Sequence, residues 1–298
     1  MISLSLRSLS TSVLALLLLT GGAVAADEVT INTVPVTEQI FMLAGQGGNI
    51  GLFIGPDGTF MIDDEYAPLT DKIVAAIKAA GGDIPKFLIN THYHGDHTGG
   101  NENLGRQGAL IFAQDNVRET LLVGSYLAAF QSKSPPAAKP ALPVVTFAEN
   151  LTFHLNGDTV HAVHVPNAHT DGDCFIRFQK ANVIHAGDVF FNGFYPFIDV
   201  DHGGSLRGMI EAADTILALA DDQTKIIPGH GPLGDKAQLA SYRQMLWTAY
   251  QRLKALKVEG KTAAQAVAAK PLDDLEAEWG DGLFKGDKWI ELVYPGVY

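Results

Sequence analysis

Apolar and polar residues alternate along Val29 to Val36, and short apolar runs follow at Ile40 to Leu43, Ile50 to Ile54 and Thr59 to Ile62. Turn-forming clusters separate them, Gly45-Gln46-Gly47-Gly48-Asn49 and Pro56-Asp57-Gly58, so the runs read as antiparallel hairpins. From Leu69 to Ala80 the period changes. Ile73, Val74 and Ile77 fall on one helical face, and Gly81-Gly82 ends the segment. Phe87 to Ile89 is a short buried strand, and a second helical stretch is predicted from Gln114 to Phe130. Pro135 to Pro143, rich in Pro and Ala, reads as a linker or surface loop.

The second half repeats the scheme. Strands are predicted at Leu151 to Leu155, Thr159 to Val165, Cys174 to Phe178 and Val183 to His185, the first two joined by the turn Asn156-Gly157-Asp158. A helix follows at Leu206 to Ala220, then a strand at Lys225 to Ile227, then helix from Asp235 to near Trp279. Strands, helix and strand in both halves imply two sheets packed together with helices outside, a four-layer α/β arrangement. No sequence repeat accompanies the structural one.

Composition and charge narrow the setting. Hydrophobic residues are 47% and charged residues 18% of 298, enough apolar material for a packed core. Residues 1–25 read as a secretory signal: Arg7, the apolar run Val13 to Leu19, and small residues at Ala23-Val24-Ala25. That run is too short and too broken by Thr20-Gly21-Gly22 to span a bilayer, which takes about 20 residues. A mature domain over residues 26–298, without a stable membrane span and periplasmic or secreted, is therefore expected. It keeps 20 basic against 33 acidic residues, since Arg7 is the one charge lost. Such a surface repels phosphate backbones, so nucleic acid is excluded as a partner. Cys174 is the one cysteine, and its apolar run marks a buried structural thiol.

The chemistry concentrates at Thr91-His92-Tyr93-His94-Gly95-Asp96-His97-Thr98-Gly99-Gly100, directly after a buried strand. Three histidines and an aspartate fall within six residues of a chain that holds ten histidines in all. A loop closed by glycines can turn such side chains to one side. Imidazole and carboxylate bind first-row metals, and imidazole suits zinc. His92 and His94 can share one metal while Asp96 and His97 reach a second.

The string His92-x-His94-x-Asp96-His97 resembles the signature of the metallo-β-lactamase superfamily. His169 in Ala168-His169-Thr170-Asp171, Asp188 in Ala186-Gly187-Asp188-Val189 and His230 in Pro228-Gly229-His230-Gly231 resemble its later ligands. The resemblance runs from about Val36 to the helices before Trp279. It implies an αββα sandwich with two zinc ions, or iron or manganese, at one edge of the sheets. By resemblance His92, His94 and His169 hold the first metal, Asp96, His97 and His230 the second, and Asp188 bridges them. It also implies hydrolysis of a small-molecule carbonyl, with Asp96 placed to orient water or move a proton.

Near Asp188 the run Phe190-Phe191-Asn192-Gly193-Phe194-Tyr195-Pro196-Phe197 is broken by Asn-Gly and Pro, so part of it is expected on a loop beside the metals. Asn192 and Tyr195 are candidate donors to a developing oxyanion. His185 is a candidate for orienting a ligand, and His202 for touching substrate or a further metal, while His154, His161 and His164 read as structural or surface residues. The Gln46 to Ile50 tip is expected to cover the substrate. β-Lactams head the expected substrates, with lactones and glyoxalase II-like thioesters as alternatives. The full ligand set with Asp188 departs from the best-known β-lactamase subclasses and is more like glyoxalase II and the lactonases. A persulfide dioxygenase-like iron enzyme and a non-catalytic metal-binding module complete the alternatives.

Overall fold

The computed structural model describes residues 29–298, so the leader assigned to residues 1–25 lies outside the described residues. Strands β1 (Asn32–Pro35), β2 (Ile40–Ala44), β3 (Ile50–Gly55) and β4 (Gly58–Ile62) form an antiparallel meander. Helix α1 (Thr70–Ala79) then leads to β5 (Phe87–Ile89), and the short helices α2 (Gly95–Thr98) and α3 (Asn101–Arg106) to β6 (Leu110–Gln114). After α4 (Asp115–Val123) come a small hairpin of β7 (Ser125–Leu127) and β8 (Ser132–Ser134), and β9 (Val145–Phe147). The first sheet runs β1-β2-β3-β4-β5-β6-β9, parallel from β4 onward.

The second sheet runs in chain order through β10 (Asn150–Leu155), β11 (Asp158–His164), β12 (Cys174–Phe178), β13 (Val183–Phe191), β14 (Lys225–His230) and β15 (Gly234–Asp235). Only β13 and β14 pair in parallel, which requires the crossover that α5 (Leu206–Leu219) supplies. The chain closes with α6 (Lys236–Val258), α7 (Ala263–Ala268), α8 (Glu276–Trp279) and α9 (Gly286–Val293).

Strand alternation sorts the apolar residues into three layers. Ile40, Met42, Phe53, Phe60, Ile62 and Phe112 meet Val160, Cys174, Ile176, Phe178 and Ile227 between the sheets. Their strand neighbours Leu43, Leu52, Met61, Leu88 and Ile111 pack outward on Ile73 and Ile77 of α1. Phe175, Ile184 and Ile226 pack outward on Met209, Ile216, Leu246 and Trp289. Helices cover both outer faces, so the four-layer αββα sandwich is the fold. Among the described residues no helix is long and apolar enough to cross a membrane.

The helix predicted to Phe130 stops at Val123. Gly124 turns the chain at φ 80°, and a Cβ there would lie 2.5 Å from the Ser134 carbonyl, so the rest folds back as the β7–β8 hairpin. Strands β6 and β9, short and parallel, were not distinguished by periodicity, which a three-residue strand such as β9 barely expresses. The Pro-rich 135–143 stretch is a loop, but Ala141 and Leu142 are buried and the Ala141 carbonyl accepts from Asn101. Helix α9, beyond the predicted helical end at Trp279, brings Trp289 into the core.

Trp289 is fully buried, stacks on Tyr195 at 4.7 Å and donates from Nε1 to the Pro196 carbonyl at 2.6 Å. Trp289→Ala leaves a large cavity and an unpaired carbonyl, and should lower unfolding free energy by about 3–5 kcal/mol. Denaturant titration checks this; a loss below about 1 kcal/mol would mean that the C-terminal segment contributes little to the core.

Candidate metal centre

The centre forms where strand ends of both sheets open onto loops. After β5, Asn90 donates its backbone N–H to Phe112 of β6, and the Thr91 carbonyl accepts from Cys174 of β12, tying the loop to both sheets. His92 and His94 leave this loop, and Asp96 and His97 sit on the first turn of α2. His169 lies between β11 and β12 in a loop that Asp173 closes by accepting from the Thr170 backbone (2.7 Å) and hydroxyl (2.8 Å). Asp188 lies within β13, next to Gly187, where the ladder to β14 slips and φ is +52°. A Cβ at Gly187 would meet the Thr91 side chain at 2.8 Å, so only glycine lets β13 approach the histidine loop this closely. His230 ends β14.

All seven candidate ligands come together, in two groups. In the first, His94 Nδ1 stands 3.0 Å from His92 Nε2 and 2.9 Å from His169 Nε2. In the second, His230 Nε2 is 3.3 Å from Asp96 Oδ2 and 3.4 Å from His97 Nε2. Asp188 lies between them. Its Oδ2 is 3.3 Å from His169 and 3.4 Å from His230, and its Oδ1 is 3.1 Å from His97.

The outer nitrogens decide what the inner ones offer. His169 Nδ1 donates to the Phe197 carbonyl at 2.8 Å, and His94 Nε2 to Asp199 at 3.0 Å. His97 Nδ1 donates to Asp63 at 2.8 Å. The Thr91 hydroxyl gives its proton to Asp63 at 2.7 Å and therefore accepts from His92 Nδ1 at 3.1 Å. His92, His94 and His169 thus each turn a bare lone pair inward, while His97 turns its Nε2 toward Asp188. Three such lone pairs about 3 Å apart have no proton to share, and the Asp188 carboxylate closes the same group. A cation satisfies every one of these atoms, and the donor set fits zinc or a similar divalent metal.

Protonation divides the groups. Burial drives His92 well below the usual imidazole range and His169 down to about 4, so both stand neutral for a ligand role. Burial also opposes charge on His97 and His230, but Asp188 outweighs it, aided at His97 by Asp96. His97 is lifted well above the usual range and His230 to about 9. Against the same burial, His97 foremost holds Asp188 and Asp96 below the usual carboxyl range. Metal entering the second group must displace protons.

A cleft of about 760 Å³ opens over both groups. His94, Asp96, Asp188 and His230 of the two groups form its floor, and Gln46, Tyr66, Phe130, Phe191, Phe194, Phe197 and Leu283 are among the rest of its lining. Gln46 thus stands where the hairpin tip was expected.

Asn192 and Tyr195 do not take the oxyanion role expected of them. Strand β13 runs on to Phe191, and the Asn192 amide then donates to the Pro232 carbonyl at 2.9 Å, bracing the loop behind His230. Tyr195 is fully buried against Trp289 and does not line the cleft. The phenol that does is Tyr66, which burial and nearby Asp96 raise to about 12, keeping it a neutral donor. His185 touches no ligand. It donates to the Asn49 carbonyl (3.1 Å) and accepts from Gly187 N–H (3.2 Å), bracing the hairpin tip and the bend before Asp188. His202 pairs with Asp199 at 2.9 Å and stands outside the cleft lining. His154, His161 and His164 bond to Thr159, Thr152 and the Asp173 carbonyl, away from both groups.

Sequence reasoning missed Asp63 and Asp199. Asp63 is fully buried, with a left-handed backbone (φ 60°) held by bonds from the Thr91 backbone and hydroxyl and from His97. Asp199 accepts from His94, His202 and the Tyr93 hydroxyl. The available signal was Asp63-Asp64-Glu65, three consecutive acids at the end of an apolar strand, where charge has no place without partners.

The family model for the metallo-β-lactamase superfamily matches residues 44–230, which span all seven residues of the two groups. The chain belongs to that superfamily. It is 24% identical over 253 residues to the lactamase-like protein aptB of Emericella nidulans, covering 80% of this chain and 73% of that one. It is 26% identical over 208 residues to the probable hydroxyacylglutathione hydrolase glo2 of Schizosaccharomyces pombe, covering 68% and 71%. A Cronobacter sakazakii metallo-β-lactamase structure superposes with a TM-score of 0.63 at 20% identity, over 78% of this chain and 97% of the other, a likeness of fold.

Asp63→Asn keeps the size of the side chain but removes the charge that His97 and Thr91 donate to. It should weaken metal binding at the second group about 10- to 100-fold, read by competition with a chromophoric chelator. Unchanged affinity would show that Asp63 does not orient His97.

Proposed function

We propose that the chain is a dinuclear zinc hydrolase of small-molecule acyl compounds, acting on esters, lactones or thioesters ahead of β-lactams. The observation that carries this is the placement of Asp188 between two ligand groups at the floor of one cleft. When bound, divalent ions supply Lewis acidity and lower the pKa of water toward about 7. The chain's own residues do the rest. Asp96, ionised and partly open to the cleft, can accept a hydrogen bond from water and orient it for attack. Tyr66 and Gln46 offer neutral hydrogen bonds to a carbonyl oxygen as charge builds on it. The apolar lining limits competing water.

The full donor set supports placing β-lactams, first by sequence, behind esters and thioesters, and the likeness to a hydroxyacylglutathione hydrolase supports thioester chemistry. The test is kcat/KM of the zinc-loaded protein for an aryl ester, a lactone, a glutathione thioester and a chromogenic cephalosporin. An ester, lactone or thioester should lead the cephalosporin by at least about a hundredfold, near 2.7 kcal/mol in transition-state binding. Asp96→Asn should lower kcat by about 10²- to 10⁴-fold. A cephalosporin turned over fastest, or activity equal in His94→Ala protein, would contradict the proposal.

A further inference from the structure

The cleft is unevenly equipped. Its floor carries the centre, yet none of its lining residues is a lysine or arginine. Lys133 is exposed and lies between Ser132 and Ser134 on β8, so alternation turns it to the face opposite these two lining serines. Lys285 is exposed, outside the lining, and faces Asp281 at 3.9 Å. Asp281 itself belongs to the lining.

The apolar lining, by contrast, is exposed where a folded chain ordinarily hides it. Phe130, from the tip of the β7–β8 hairpin, is 41% exposed, and Leu283, from the segment before α9, is 58% exposed. The two segments are joined by aromatic contacts. Phe130 packs edge-on to Phe197 at 4.9 Å and lies 5.8 Å from Phe284. An apolar surface held this way beside a reactive centre gains by covering itself with hydrocarbon.

Resting on the hydrolase reading, we infer that the cleft selects neutral acyl substrates with a hydrocarbon acyl chain, held between Phe130 and Leu283. It discriminates against substrates that carry a second anionic group on the acyl side. The carbonyl oxygen lies over the centre, and the chain runs toward the hairpin tip. A carboxylate at the end of that chain would leave water for an apolar wall with no cation to receive it. The volume accommodates a medium-length chain with its alcohol or thiol portion.

The experiment compares the zinc-loaded protein on p-nitrophenyl acetate, octanoate and hydrogen suberate, the last matching octanoate but ending in a carboxylate. Burying one methylene multiplies binding roughly fourfold, so octanoate should exceed acetate in kcat/KM by at least about thirtyfold even with half the added chain covered. The suberate monoester should fall at least about tenfold below octanoate. In Phe130→Ala/Leu283→Ala protein the octanoate-to-acetate ratio should drop at least about fivefold. Both side chains are substantially exposed, so the fold tolerates their loss. Calorimetry with 2-octanone, neutral and not hydrolysable, gives a readout without turnover, and the double variant should bind it at least about fivefold more weakly. If no ester, lactone or thioester is hydrolysed while 2-octanone binds in this way, the hydrolase reading falls and the cleft's preference for hydrocarbon stands. Suberate monoester turned over as fast as octanoate, octanoate no faster than acetate, or no binding of 2-octanone would each overturn the inference.

Discussion

The structure turns on the way buried oxygens fix the outer nitrogens of the site histidines. Asp63, Thr91, Asp199 and the Phe197 carbonyl take the outer N–H groups of His97, His92, His94 and His169. With those tautomers set, the lone pairs of His92, His94 and His169 converge on a space that Asp188 also enters. Such an arrangement costs free energy unless a cation occupies it, because bare nitrogens about 3 Å apart repel and buried carboxylates lose solvation. The strain that places Asp63 at φ 60° is tolerated because three hydrogen bonds hold it.

The acids after β4 extend the same device. Asp64 accepts from the Gly100 backbone at 2.8 Å, and Glu65 from the Gly47 backbone at 2.9 Å. One strand end therefore ties down the histidine loop, the start of α3 and the hairpin tip that carries Gln46. From the other sheet, Asn49 is gripped by the carbonyls of Pro228 (3.0 Å) and Gly231 (2.9 Å), on either side of His230. Each half of the sandwich thus contributes ligands and receives braces from the other, and the four-layer fold sets the spacing between the two groups.

The residues most legible in the sequence were those whose chemistry is compressed into a short span. His92 to His97 announced a metal site because so many ligand-type side chains share one loop, and the order of His169, Asp188 and His230 placed the rest by resemblance. The braces were not legible, because Asp63 reaches His97 across 34 residues and Asp199 reaches His94 across 105. Closeness in sequence also misled. Asn192 and Tyr195 follow Asp188 by a few residues, yet β13 carries the chain past the centre, and both side chains turn to structural partners. The hairpin that brings Phe130 to the cleft was hidden in an apparently helical stretch, and one glycine, Gly124, redirects it.

The central claim, that convergent lone pairs are built for two shared metal ions, is tested most directly by the metal content of protein purified without chelators, together with anomalous diffraction from its crystals. The account predicts close to two zinc ions per chain, one among His92, His94 and His169 and one among Asp96, His97 and His230, with Asp188 touching both. A single iron bound by His92, His94, His169 and Asp188, with the second group empty, would contradict it.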